Sequence, residues 1–262
     1  MPFISLPSKA QAQIAYYISG PDGAKDQTPT LVVFINGLGL PAASWKSVIS
    51  MVQASDGPNK PQILTYDRFG QGATTARDPL DEQPGKEPGY GHDFVDATKD
   101  LHELLQAVAP QGSKPRYLVF VAASIGVHLA RLYAQHHPGQ VAALLILDSN
   151  IGNKEYSDLW PNVQAPGFDP KDVIADDCTL EQYLEAGARL RKTFNSDVKN
   201  PEGLDRRNVK NLLPESGAPK LVGPDGRGLW LTVVSHDPET FADESLRIMK
   251  IPRSLSMRFT NQ

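Results

Sequence analysis

The chain has 262 residues, 40% of them hydrophobic, and a formal net charge of -4. That length and apolar content suffice for one large core with room for an insertion, while the mild charge and the lack of any Lys/Arg block exclude a nucleic-acid footprint. Cys178 is the sole cysteine, which excludes an internal disulfide and a thiolate metal cluster; the longest apolar runs are too short to span a bilayer and the start MPFISLPSKAQAQ is not secretory, so a cytoplasmic setting is expected.

Along the chain, QIAYYIS (Gln13 to Ser19) reads as a more exposed strand, suited to an antiparallel edge. LVVFI (Leu31 to Ile35), QILTY (Gln62 to Tyr66), YLVFV (Tyr117 to Val121) and ALLIL (Ala143 to Leu147) are continuous apolar or nearly apolar runs, as strands covered on both faces require. Between the second and third, Phe94, Ala97, Leu101, Leu104, Leu105 and Val108 recur at helical spacing. Between the third and fourth, Leu129, Leu132 and Tyr133 do the same. Strand-helix-strand alternation of this kind builds a parallel sheet through right-handed crossovers, an α/β fold with helices on both faces.

From about residue 152 to 227 the strand-like runs stop, and Pro, Gly, Asp and Asn punctuate helical pieces. Thr179 with Gln182 has the capping-box pattern that opens LEQYLEAGARLRKTF, with Leu180, Tyr183, Leu184 and Leu190 on its expected apolar face and Gly187 between them. This segment reads as a helical lid. The expected division is a core of residues 1–151 and 228–262 with an inserted cap at 152–227. One more strand candidate, LWLTVVS (Leu229 to Ser235), a helix and a polar end complete the chain.

Ser124 stands where an apolar strand meets a helix, within AASIG (Ala122 to Gly126). A serine nucleophile on such a turn needs small residues two before and two after it, because strand and helix backbones nearly touch there. The turn lifts the hydroxyl above the sheet and aims free helix N–H groups at a developing oxyanion. Alternatively, Ser124 is a plain N-cap. NGLGLP (Asn36 to Pro41) and YDRFGQG (Tyr66 to Gly72) follow the two preceding strands and carry glycines where tight exits need them.

The order NGLG, YDRFGQG, AASIG and LDS, each at a strand's C-terminal end, resembles the α/β-hydrolase family, in its esterase, epoxide-hydrolase and aminopeptidase branch with a helical cap. The resemblance spans roughly residues 10 to 240. It implies a serine hydrolase acting on an ester, lactone or similar small-molecule acyl substrate, with Ser124 as nucleophile and no metal or organic cofactor. The oxyanion hole would be the N–H of Ile125 with one from Leu38 or Gly37.

Family order places the acid after the nucleophile and the histidine last. Asp237 takes the acid position if LWLTVVS is the penultimate strand, although Asp237-Pro238-Glu239 is also a good helix start. Asp148 is the second candidate, with an Asx turn as its structural alternative. No histidine follows Asp237; His236 becomes the base if LWLTVVS is the last strand and Asp148 the acid. The chain thus reads as short at its C-terminus. The alternative function is a catalytically incomplete member that binds a small molecule, with an open sheet edge that invites a homodimer. Cys178, beside Asp176 and Asp177, reads as non-catalytic.

Overall fold

In a computed structural model, residues 1–20, 30–56, 60–108, 117–149, 152–155, 158 and 160–260 are described, residue 259 by its backbone alone. In chain order these form β1 (Phe3–Leu6), β2 (Lys9–Ser19), β3 (Thr30–Ile35), α1 (Lys46–Ala54), β4 (Gln62–Tyr66), β5 (His92–Asp93), α2 (Phe94–Val108), β6 (Tyr117–Ala123), α3 (Gly126–His136) and β7 (Val141–Leu147). There follow α4 (Leu180–Phe194), β8 (Leu204–Asp205), α5 (Val209–Leu212), β9 (Trp230–Val234), α6 (Pro238–Met249) and α7 (Arg253–Thr260).

Seven of the described strands share one sheet in the order β1-β2-β4-β3-β6-β7-β9. β4, β3, β6, β7 and β9 run parallel, and β1 and β2 are antiparallel to their neighbours. The expected antiparallel edge at Gln13–Ser19 is corrected in position. That stretch lies in β2, one strand in, and β1 takes the edge.

The apolar runs supply two faces each, as the two-residue period of a strand dictates. Val33, Ile35, Phe120, Ala122 and Leu144 point to the larger core, where they meet Leu101, Leu104, Leu129 and Tyr133 of α2 and α3. Phe34, Ile63 and Val121 point the other way, toward Ile49 of α1. Each fully buried Leu or Phe contributes about 1.5–3 kcal/mol through lost apolar exposure. α2 begins where Asp93 accepts from the N–H groups of Val95 and Asp96 (2.8 and 3.1 Å) while Asp96 accepts from Asp93 N–H at 3.0 Å, a reciprocal cap.

β9 departs from this pattern. All five of its residues are exposed, Trp230 by 83% and Val233 by 64%, and these two point to opposite faces. Its backbone ladder to β7, from Ala143↔Trp230 to Leu147↔Val234, is therefore its main attachment.

In the 152–227 segment the capping box forms as expected, with Thr179 accepting from Gln182 N–H. The expected apolar face of α4 is corrected. Tyr183, Ala186, Gly187 and Leu190 are its buried residues, whereas Leu180 and Leu184 are exposed. The rotation follows from Gly187: a Cβ there would lie 2.6 Å from Trp160 Nε1, so the indole packs directly on the helix backbone. Trp160, Phe168, Tyr183 and Phe194 surround a small core that also holds Cys178. Burial first, and then Asp177, push the Cys178 thiol pKa up, away from thiolate. Ile251 and Leu255 join this core, so the chain's last helices pack against the 152–227 segment.

Candidate active site

Ser124 follows β6 at the strand-to-helix turn and has φ 51°, a left-handed conformation rare outside glycine. Such strain costs about 1–3 kcal/mol and persists where surrounding structure enforces it. Here the enforcement is visible on both sides. Ser124 N–H donates to Leu147 O at 3.1 Å, tying the turn to the end of β7. On the helix side, a Cβ on Gly126 would sit 2.5 Å from Ile35 O and 2.8 Å from Asn36 O. The first residue of α3 thus touches the exit of β3 backbone to backbone, which glycine alone permits.

The loop after β3 lies against this turn. A Cβ on Gly37 would be 3.2 Å from Ser124 Cβ. Arg68 donates to Asn36 O (2.8 Å) and Gly37 O (3.0 Å), and Gln71 Nε2 donates to Gly37 O at 2.9 Å. Trp45 Nε1 and Asn36 Oδ1 are joined at 2.6 Å. Because a peptide unit is planar and trans, the Leu38 N–H points opposite to the Gly37 carbonyl and so away from Arg68 and Gln71. Among the described hydrogen bonds, neither Leu38 N–H nor Ile125 N–H has a protein acceptor, which leaves both able to serve an anionic oxygen.

The ends of β7 and β9 bring Asp148 and His236 together. Asp148 N–H donates to Val234 O at 2.9 Å, and His236 Nδ1 lies 2.5 Å from Asp148 Oδ1. The imidazole stacks on Phe241 of α6, with centroids 4.1 Å apart at 19°. With Nδ1 engaged by a carboxylate, Nε2 is the nitrogen left to accept a proton. Asp148 also has positive φ, at 43°. Of the three non-glycine residues with positive φ, Ser124 and Asp148 thus stand at the C-terminal ends of adjacent strands, each one residue beyond the Ala123↔Leu147 pair, and the third, Lys250, ends α6. Among the described residues, Ser124 Oγ makes no hydrogen bond to His236.

Asp237 lies elsewhere. It is the N-cap of α6, accepting from Thr240 N–H (2.8 Å) and Thr240 Oγ1 (2.9 Å) ahead of Pro238. The backbone bond from Thr240, then that from its hydroxyl, hold its carboxyl pKa below the usual range. With residues 230–234 paired directly to β7, the structure sets Asp237 at the start of α6, whereas Asp148 faces the His236 imidazole. Removing the cap in Asp237→Ala should cost about 1 kcal/mol of stability, read as a lower midpoint in urea denaturation.

Of the other five histidines, His136 is exposed and four are engaged away from this edge. His92 Nδ1 bonds Asp81 at 2.8 Å, and His102 stacks on His137 with centroids 4.0 Å apart. His128 packs edge-on against Phe94. No group of three His, Cys, Asp or Glu among the described residues could hold a metal ion, and no helix among them is long and apolar enough to cross a membrane.

Sequence reasoning missed one residue of this region. Glu202 is fully buried under the loop after β3, with its carboxylate on Arg68, Gln71 and the Gly39 N–H. It lies 134 positions from Arg68 in a stretch without motif character, and its short neighbour β8 offers two residues of pattern.

A family model described as the alpha/beta hydrolase family matches residues 32–253. Among solved structures the chain is similar to the peroxisomal alpha-beta-hydrolase Lpx1 of Saccharomyces cerevisiae, at 11% identity and a TM-score of 0.50 over 86% of this chain and 75% of that one. It is also similar to a carboxylesterase structure from the thaumarchaeon Nitrososphaera gargenis, at 16% identity and a TM-score of 0.45 over 95% and 98% of the two chains. A third is a putative ancestral haloalkane dehalogenase, at 17% identity and a TM-score of 0.44 over 84% and 72%. At these identities the likeness concerns the fold. No curated protein matches the sequence.

Proposed function

This chain belongs to the alpha/beta hydrolase family, and on that premise we propose that it hydrolyses an ester, lactone or similar acyl substrate through an acyl-serine intermediate. His236 Nε2 takes the proton of Ser124 as Oγ attacks the substrate carbonyl, and Asp148 holds the ring and stabilises the imidazolium. The tetrahedral oxyanion accepts from Ile125 N–H and from Leu38 N–H, with Gly37 giving the loop its close approach to the serine. Collapse expels the alcohol, which takes the proton from His236. A water, deprotonated by the same ring, then attacks the acyl-serine and frees the acid.

The observation that carries this reading is the 2.5 Å His236–Asp148 pair at the strand ends beside the strained Ser124. It is tested with p-nitrophenyl esters of increasing acyl length. Turnover accompanied by acyl mass on the Ser124 peptide, both absent in Ser124→Ala, is the expected result. Turnover that survives Ser124→Ala would remove the reading.

A second reading, a catalytically incomplete member that binds a small molecule, has its own observation. The Asp148 side chain is 62% exposed, and surface pairs hold geometry weakly. Under it, an ester analogue binds and no acyl-serine forms.

A further inference from the structure

We propose that Glu202, in the segment between β7 and β9, is a positioning residue for the oxyanion donor at Leu38, acting through Arg68. This inference rests on the acyl-transfer reading above and adds a residue and a segment to it.

Arg68 is 5% exposed and Glu202 0%, and an unpaired charge at such a depth costs several kcal/mol. The two charges neutralise each other in a fork: Arg68 Nε reaches Glu202 Oε2 at 2.8 Å and Arg68 Nη2 reaches Oε1 at 3.0 Å. Such paired, planar recognition fixes orientation as well as charge. Of the three N–H donors that the fork leaves over, two go to the loop after β3, onto Asn36 O and Gly37 O.

Glu202 Oε1 also accepts from Gly39 N–H at 2.6 Å and from Gln71 Nε2 at 3.1 Å. Gln71 in turn donates to Gly37 O. One carboxylate therefore touches the loop directly at residue 39 and through two intermediaries at residue 37. The Gly37–Leu38 peptide plane is set between these points, and with it the direction of the Leu38 N–H. Stabilisation of an oxyanion depends on donors fixed before charge develops, and a displacement of about 1 Å can cost about a hundredfold in rate.

The carboxylate does not come from a neighbouring loop. Its segment is built into the body of the protein at several points. Arg77 donates to Pro201 O at 2.7 Å, Gly70 lies against Pro201 and Glu202, and Leu204–Asp205 pair with His92–Asp93. The segment that carries α4 is thus wired to the oxyanion loop, and any movement transmitted to residues 201–205 alters the donor geometry.

The test compares Glu202→Gln and the apolar double variant Arg68→Met with Glu202→Leu against the native chain. The readouts are kcat and KM for a p-nitrophenyl ester, melting temperature, and amide hydrogen exchange of residues 36–42. Glu202→Gln is expected to lower kcat at least about tenfold with KM within about twofold, and to speed exchange at Gly39. The double variant removes both charges, so its melting temperature should recover toward native while kcat stays low, because Asn36 O and Gly37 O have lost the Arg68 N–H groups and Gly39 N–H its carboxylate. Native kcat in Glu202→Gln, recovery of both kcat and melting temperature in the double variant, or failure of both variants to fold would each reduce Glu202 to a structural ion pair and overturn the proposal. Should the native chain show no turnover, the acyl-transfer reading falls by itself, and hydrogen exchange still decides whether Glu202 holds the loop.

Discussion

His236→Ala is expected to lower kcat for p-nitrophenyl ester hydrolysis by about a thousandfold or more, with KM near the native value. The reason is chemical. A serine hydroxyl is a weak nucleophile without a base, and the proton accepted in acylation must be returned to the leaving alcohol. His236 is the imidazole that stands at the strand ends beside Ser124, with Nδ1 on Asp148 and Nε2 left open. Alanine also removes the ring that stacks on Phe241, so circular dichroism and melting must show the fold intact before the rate is read. Asp148→Asn is expected to cost less, about ten- to a hundredfold, because a carboxylate 62% exposed to water orients and stabilises an imidazolium less strongly than a buried one. A drop of below about threefold in His236→Ala would remove the base assignment.

The second large effect concerns stability. Gly126→Ala is expected to destabilise the protein by about 3 kcal/mol, read as a lower urea midpoint at unchanged slope. The added Cβ would stand 2.5 Å from Ile35 O and 2.8 Å from Asn36 O, and neither of these backbone atoms can rotate away as a flexible side chain can. Relief requires α3 to move off β3, which shifts Ser124 relative to the loop after β3. Activity should therefore fall together with stability. A midpoint within error of native would mean that the elbow is looser than its geometry indicates.

The parts of this fold that were legible in sequence are those set by local pattern. β3, β4, β6 and β7 announced themselves because a strand buried on both faces must be apolar throughout, and α2 because its face repeats over 15 residues. β1 and the start of β2 were not, since FISL is short and KAQAQ is half polar. The buried face of α4 differs from its apolar pattern because a long side chain at helical spacing is buried only where a partner stands. Trp160 instead settled on the small residue Gly187.

The site divides in the same way. Ser124 and the glycine loops were legible because close backbone approach demands small residues in fixed order. The choice between Asp237 and Asp148 turns on which slot of the sheet residues 230–234 occupy, and that is a long-range pairing with no local signature. Once β9 lies beside β7, the Leu147↔Val234 pair puts Asp148 within reach of His236. Asp237 is then left to do what its own sequence context, Asp-Pro-Glu, already favoured. Glu202 had no local signal at all, and its role follows from contacts made across 134 positions.

The central claim is that Ser124 is a nucleophile activated by His236. It is tested most directly by the rate at which a fluorophosphonate labels the native chain and His236→Ala, with the labelled residue located by peptide mass. The account predicts stoichiometric labelling of Ser124 in the native chain, slowed by at least about a hundredfold in His236→Ala. Labelling of Ser124 at the same slow rate in both proteins, or labelling at another residue, would contradict it.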